Sequence, residues 1–290
     1  MSAEPPGGAP ALRRLEVAAA LRQHRKAARM TTAEVTRHLG FSYSKLSRLE
    51  TGDRRIRPED LERLCDLYGI DVEERHRLAT LVDESHQTSQ WQNFDTFQSD
   101  EADFMELEQA AYRIDDYKSS AVTTLLQTRA YSRAYYGQLN PHLPADILDA
   151  RVATRDVRRS AMFARSPLPT LNFILDEAAV RRLVGGPATM AEQVDHLVRL
   201  AGHEQISIQV LPFAYGAHIG MDSLFAILSF REAIRDRVYV DGLAPQQYFT
   251  EAKELERYRA AFDQLSRHAL DRFASREFLK AIRNDIDTPE

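Results

Sequence analysis

The 290-residue sequence has one cysteine, Cys65. A single thiol excludes an intramolecular disulfide and a multi-thiolate metal cage, and it fits a reducing cytoplasm. Cys65 shares an apolar helical face with Leu61, Leu64 and Tyr68, which reads as buried packing. Long apolar runs are lacking too: no window approaches about 18 uninterrupted apolar residues, so neither a transmembrane helix nor a membrane partner is expected. The opening stretch MSAEPPGGAPALRR has no apolar core and is not expected to act as a signal peptide. The glycine patterns GxxxxGK and GxGxxG are missing, as are HExxH and any CxxC pair. No cofactor and no zinc site is therefore expected. His196 and His203 share one helical stretch but have no suitably spaced third ligand.

What is present is ordinary in bulk and uneven in distribution. Apolar content of 43% and charged content of 28% suit a globular chain long enough for two domains. The net charge is −5, which taken alone argues against nucleic acid. Residues 11–57 nevertheless hold twelve Lys and Arg and four Asp and Glu, a local charge of +8 that leaves −13 on the rest. A cationic module carried by an acidic body is what a DNA-facing segment looks like.

The stretch Thr31 to Gly52, TTAEVTRHLGFSYSKLSRLETG, reads as two short helices about a tight turn. Thr31 is placed as an N-cap, and Glu34 three residues later completes a capping box. Val35 and Leu39 give the first helix an apolar stripe, and Gly40 supplies the positive φ that the turn needs. Ser42 caps the second helix, with Phe41 and Leu46 at the positions of a hydrophobic staple. Leu46 and Leu49 point inward, leaving Tyr43, Ser44, Ser47 and Arg48 outward, and Gly52 closes the helix. This is a helix-turn-helix whose second helix suits a major groove.

Residues from about Leu21 to Val82 resemble the DNA-binding domain of the xenobiotic-response-element family, relatives of phage lambda repressor. The resemblance rests on Leu21, Arg22, Arg25, Thr31, Val35, Leu39, Gly40, Ser42, Lys45 to Arg48, Glu50, Gly52, Arg55 and Pro58. Thr32 and Thr36 depart from it, standing where most members have Gln and Ala. Thr32 can donate to a phosphate but cannot brace the recognition helix as Gln does. By motif position, Tyr43, Ser44, Ser47 and Arg48 are assigned to base readout, with Arg48 suited to bidentate contact with guanine. Thr32, Ser42, Lys45, Arg54 and Arg55 are assigned to phosphates. Glu50 is taken as structural, paired with Arg22 or Arg25. The resemblance also implies a homodimer on a double-stranded operator, with half-sites about one helical turn apart.

Along the chain, 1–10 reads as a disordered tail and 11–83 as an all-α, five-helix, lambda-repressor-like DNA-binding domain. Residues 84–100 read as a linker containing Trp91, Phe94 and Phe97, and 101–290 as a mixed α/β (α+β) effector and dimerisation domain. Helices are expected at 101–117, 127–138, 144–164, 176–184, 188–202, 251–271 and 275–285. Strands are expected at 171–175, 206–211, 224–230 and 237–241.

The second part resembles a domain of unknown function that often follows this helix-turn-helix in bacteria. LLQT at 125–128 with Tyr131 and Ala134 matches one motif, and EAAVRRLVGG at 177–186 with Met190, Gln193, His196 and Leu197 the next. QVLPF at 209–213, Gly216, His218 and Gly220, then Phe225, Ile227, Leu228 and Phe230, and VYVDG at 238–242, continue it. Val122-Thr123-Thr124 departs from the Val-Pro-Gly that usually precedes the first motif. The resemblance implies a regulator tied to differentiation or secondary metabolism, sometimes described as antitoxin-like, with a short companion protein encoded nearby. His218 lies between two strands, a placement similar to the His-x-Lys of phospholipase D-like nucleases. Residue 220 is glycine instead of lysine, so the phosphate-binding cation is missing and no enzyme is expected. His218 reads as a turn residue or, with Phe213 and Tyr239, as part of a candidate effector pocket for a small molecule or a protein partner.

Overall fold

The computed structural model describes residues 9–88, 99–231, 234–242 and 247–287. The chain divides into two compact units, Met1–Ala110 with Phe230–Arg235, and Ala111–Ser229 with Asp236–Glu290. Trp91, Phe94 and Phe97 lie outside the described residues.

In the first unit, α1 (Pro10–Ala27) starts with proline inside its first turn and ends on His24, Arg25 and Lys26, whose positive charge complements the helix dipole. The capping box of α2 (Thr32–Leu39) has both of its hydrogen bonds, between Thr31 and Glu34. Gly40 follows at φ +65°, a left-handed conformation that costs glycine little and a side-chain-bearing residue more. In α3 (Tyr43–Thr51), the Ser42 hydroxyl accepts from the Lys45 amide at 3.1 Å. Pro58 opens α4 (Pro58–Tyr68), and Asp71 caps α5 (Val72–Ser85). Leu21, Val35, Leu46, Leu64, Cys65 and Leu78 meet in one buried cluster.

A sixth helix, α6 (Ser99–Ala110), belongs to this unit. Glu106 accepts the Ala11 amide at 2.7 Å, satisfying a donor that the start of α1 leaves open, and Asp103 pairs with Arg14 at 2.7 Å. The sequence boundary drawn at residue 101 therefore differs from the division of the structure. Pro10, the last residue of the expected tail, starts α1 and is buried, and residues 1–8 of that tail lie outside the described residues.

The second unit is a six-stranded mixed sheet with helices. Its strands are β1 (Arg113–Lys118), β2 (Thr170–Asp176), β3 (Ile206–Leu211), β4 (Leu224–Ser229), β5 (Arg237–Asp241) and β6 (Gln247–Phe249), in the order β3-β2-β1-β4-β5-β6. The strands β1, β2 and β3 are parallel, while β4, β5 and β6 add as antiparallel neighbours. The helices are α7 (Arg129–Leu139), α8 (Ala145–Phe163), α9 (Glu177–Arg181), α10 (Pro187–Leu200), α11 (Ala252–His268) and α12 (Arg272–Asp287).

Two elements depart from expectation. The helix expected over 101–117 stops at Ala110, and Arg113–Lys118 is a central strand, while β6 fell outside the expected strands. RIDDYK has neither clean alternation nor an apolar run, because two of its inward positions are carboxylates. Asp115 is held by Arg113 and by Asn172 of β2 at 2.7 Å, and Asp116 accepts the Thr123 hydroxyl. These partners make both burials tolerable, and one of them, Asn172, lies 57 residues from Asp115 in sequence. Thr123 thus uses a donor that proline at the usual Val-Pro-Gly position would lack.

Successive strand residues alternate faces, so Tyr117, Phe225 and Val240 form one row across β1, β4 and β5. That row joins Leu255, Phe262 and Leu265 of α11 in an apolar cluster. Among the described residues, no helix is long and apolar enough to cross a membrane.

Candidate nucleic-acid interface and effector site

The helix-turn-helix is braced from beneath. Arg25 grips the carboxylate of Glu50 through Nε at 2.6 Å and Nη2 at 2.8 Å, and donates through Nη1 to the Met30 carbonyl at 2.9 Å. Of the two partners expected for Glu50, Arg25 is seen to hold it. The hydrogen bond to Glu50 raises the pKa of Arg25 against the cost of burial, so the guanidinium stays charged. Arg63 of α4 donates to the Leu39 carbonyl at 2.6 Å, closing the end of α2. Phe41, in the turn, is buried with the cations of Lys45 and Arg63 over its ring at 3.7 and 5.2 Å. Arg63 and Asp60 escaped sequence reasoning. Asp60 left only the faint signal of an acid in the first turn of α4.

This scaffold leaves one face of α3 open. Tyr43 is 68% exposed, Ser44 and Arg48 are exposed, and Ser47 is half-buried. Among the described residues, the Arg48 side chain makes only a long bond to the Ser44 carbonyl within its own helix, at 3.3 Å. The Ser42 oxygen accepts from the Lys45 amide, while its own hydrogen remains free to donate. Arg54 and Arg55 follow α3 and have no ion-pair partner among the described residues; Arg54 is exposed and Arg55 half-buried. Thr32, also half-buried, opens α2. Lys45 differs from the rest of the phosphate set: its ammonium is bound to Asp60 at 2.7 Å and half-buried over Phe41. Of the residues assigned to phosphates from the sequence, Lys45 is thus already engaged by a carboxylate.

In the second unit, the ends of the parallel strands collect the residues around His218. Asp176 ends β2 and caps α9 through the Ala178 amide, and its other oxygen lies 3.3 Å from His218 Nε2. Glu177 accepts the Phe213 amide at 2.8 Å while pairing with Arg181. The loop after β3 is thus pinned at two points to the start of α9. Tyr117 lies under it, fully buried, with its ring edge-on to His218. Burial, and secondarily the charge of Asp176, push the Tyr117 phenol well above its usual range, so it stays protonated. Gly220 fits against that ring, and an added Cβ would come within 2.4 Å of it.

The three candidate effector residues do not converge. His218 is fastened to Asp176, whereas Phe213 is 57% exposed. Tyr239 is buried on the sheet face opposite Val238 and Val240, beside Tyr248. Strand alternation is the reason: neighbours along β5 cannot share a face.

The LLQT stretch is held by Gln193. Its side-chain oxygen accepts the Thr128 amide and its nitrogen donates to the Leu126 carbonyl, both at 2.7 Å and fully buried. Tyr131 accepts the Val122 amide and Gln127 bonds Ser132 in the same network.

Against known families, residues 16–78 match the model of a helix-turn-helix domain. Residues 102–281 match the model described as Domain of unknown function (DUF5753). The first match runs from α1 into α5, and the second begins within α6. No curated protein and no solved structure matches the chain.

Proposed function

The chain belongs to the DUF5753 family and carries a helix-turn-helix domain ahead of the family region, and from this premise we propose a sequence-specific transcriptional regulator of the xenobiotic-response-element, lambda-repressor-like kind. The observation that carries the proposal is the capped helix α3, with Tyr43, Ser44, Ser47 and Arg48 outward and Arg54 and Arg55 beside it. Arg48 reads guanine, and Thr32, Ser42, Arg54 and Arg55 hold phosphates, with Lys45 joining them on release from Asp60. One recognition helix spans few base pairs, so the working form is a homodimer on paired half-sites. The second unit acts as a non-enzymatic sensor whose occupant biases DNA binding. In support, Gly220 stands where a catalytic lysine is wanted, and His218 is committed to Asp176.

Mobility shift on DNA upstream of the chain's own coding region tests the proposal. Arg48→Ala is expected to weaken specific binding about 5- to 150-fold, the equivalent of ~1–3 kcal/mol, while leaving non-specific binding nearly unchanged. Equal binding by the two proteins would contradict the assigned face.

A second reading, an antitoxin-like protein that holds a short companion protein and binds DNA only for autoregulation, is favoured by Phe213, Ile219 and Met221. These apolar side chains of one loop are 57%, 50% and 61% exposed. It prevails if Arg48→Ala removes promoter binding and the cellular phenotype persists.

A further inference from the structure

The face of the sheet under α11 changes character along the strands. Its row at the far end of β1, Tyr117, Phe225 and Val240, is apolar and packed against the helix. The row where β1 begins is polar: Arg113 lies opposite Ser229, and Asp236 immediately precedes β5. There helix and sheet do not close, and a cavity of about 270 Å³ remains, with Ile227 and Phe262 among its apolar walls.

Its charges are partly used and partly open. Arg113 points Nε at both oxygens of Asp115, at 3.0 and 2.8 Å, and its two terminal nitrogens make no hydrogen bond among the described residues. Arg259 is paired with Asp236. Asp263, one turn further along α11, lines the same cavity and is exposed; it makes no hydrogen bond or ion pair among the described residues, and its charge, after that of Asp115, helps to keep Arg113 charged. The cavity therefore offers an open guanidinium edge and an open carboxylate, with apolar surface between. An amine alone would leave the Arg113 edge unused, and a carboxylic acid alone would leave Asp263 unmatched. A molecule carrying both groups satisfies both. The volume lies at the small end of ligand pockets, the scale of a free amino acid rather than a nucleotide.

The position of the cavity in the chain matters as much as its chemistry. The chain enters the second unit at Ala111, leaves it after Ser229 and returns at Asp236. Tyr112, Ser229 and Asp236, next to or at these three crossings, all line the cavity. An occupant would fix the strand ends from which the chain passes to the helix-turn-helix unit.

We propose that this cavity is the effector site and that it takes a small zwitterion of the amino-acid class, its carboxylate on Arg113 and its ammonium on Asp263. The proposal rests on the regulator reading for its consequence, though not for the binding itself. The test is calorimetric titration of the full chain with L-amino acids one at a time, with the matching amines and carboxylic acids as controls. At least one amino acid should bind, its one-charge analogues should bind at least about tenfold more weakly, and Asp263→Asn should weaken it by a similar factor. Asp263 is exposed on α11, so the variant should keep the wild-type circular dichroism and melting temperature. Absence of binding by every amino acid, or binding unchanged in Asp263→Asn, overturns the site. Promoter mobility shift with and without the bound amino acid then separates the two claims. An Arg48-dependent shift without any amino-acid binding sinks the site alone. Amino-acid binding without any Arg48-dependent shift sinks the regulator reading and leaves the site.

Discussion

In the first unit, the side chains proposed to meet a partner stand on the open face of one short helix, and the charges beneath them are paired in place. In the second, charges are built into the sheet itself, and the open groups line a cavity under α11. A helix face can be presented by local rules, namely a cap, a turn and two leucines on the inner side. A sheet cavity needs residues from β1, β4, the start of β5 and α11 at once. The difference teaches where each unit is vulnerable. Recognition in the first fails when its brace fails; the second fails when one of its long-range polar ties is cut.

The largest expected effect tests the brace. Glu50 and Arg25 are nearly buried, with side chains 8% and 13% exposed. Glu50→Ala should destabilise the first unit by about 3–5 kcal/mol, because the guanidinium is left without its counter-charge. Combining Glu50→Leu with Arg25→Met should recover most of that loss. Hydrogen exchange read unit by unit provides the measurement: protection in α1 to α5 should fall while protection in the sheet does not. A uniform loss across both units would break the comparison.

Next comes Gln193, the corresponding tie in the second unit. Gln193→Leu keeps the volume but strands the Thr128 amide and the Leu126 carbonyl, at about 1–3 kcal/mol for each group. Protection should be lost around LLQT and α10, with DNA affinity of the remaining folded protein unchanged. A loss under about 0.5 kcal/mol would show that the network is supplied with water.

These two residues also show what a sequence can disclose. Thr31, Glu34, Gly40, Ser42 and Gly52 act on backbone three or four residues away, so their roles were legible at once, and every one is seen in its expected place. The inward leucines followed from helical spacing. Glu50 was legible as structural, but its partner lies 25 residues away, so Arg22 and Arg25 could not be told apart. For β1 the signal was masked. Asp115 and Asp116 are tolerable in a central strand only because Arg113, Asn172 and Thr123 arrive beside them, and Asn172 is 57 residues away. The cavity left no local trace, since its open groups, Arg113 and Asp263, are joined only by the fold. His218 drew notice from its glycine setting, which proved to be a fitted loop over Tyr117.

Acid should separate the two units in sequence. Burial, aided by Arg159 and Arg199, pushes the His196 imidazole down to about 4 from 6.5. Between these values the unfolded chain takes up a proton that the folded unit refuses. Stability from this source is complete above about 6.5 and is lost as pH falls toward 4. In the first unit the hydrogen bond from Arg77, more than that from His24, holds the Glu74 carboxyl at about 2 against an ordinary 4.5. That contribution is complete above 4.5 and is lost only as pH falls toward 2. Near pH 5 the second unit should therefore weaken while the Glu74 contribution to the first is intact, and His196→Phe should flatten the slope in the second unit alone. A slope unchanged in that variant would locate the acid sensitivity elsewhere.

The smallest effect sharpens the comparison most, because at Ser42 stability and recognition meet in one side chain. Its oxygen caps α3, and its hydrogen is proposed to donate to a phosphate. Ser42→Ala removes both and should cost about 1 kcal/mol of stability along with some affinity. Ser42→Asp keeps an acceptor for the Lys45 amide and suits the positive helix end, so stability should change by less than about 0.5 kcal/mol. It also sets a carboxylate against DNA, and promoter affinity should fall further than in Ser42→Ala. The crossing of the two orders, stability Asp above Ala and affinity Ala above Asp, is what a DNA-facing N-cap demands. If both variants instead rank the same way in both measurements, α3 does not present its first turn to a phosphate.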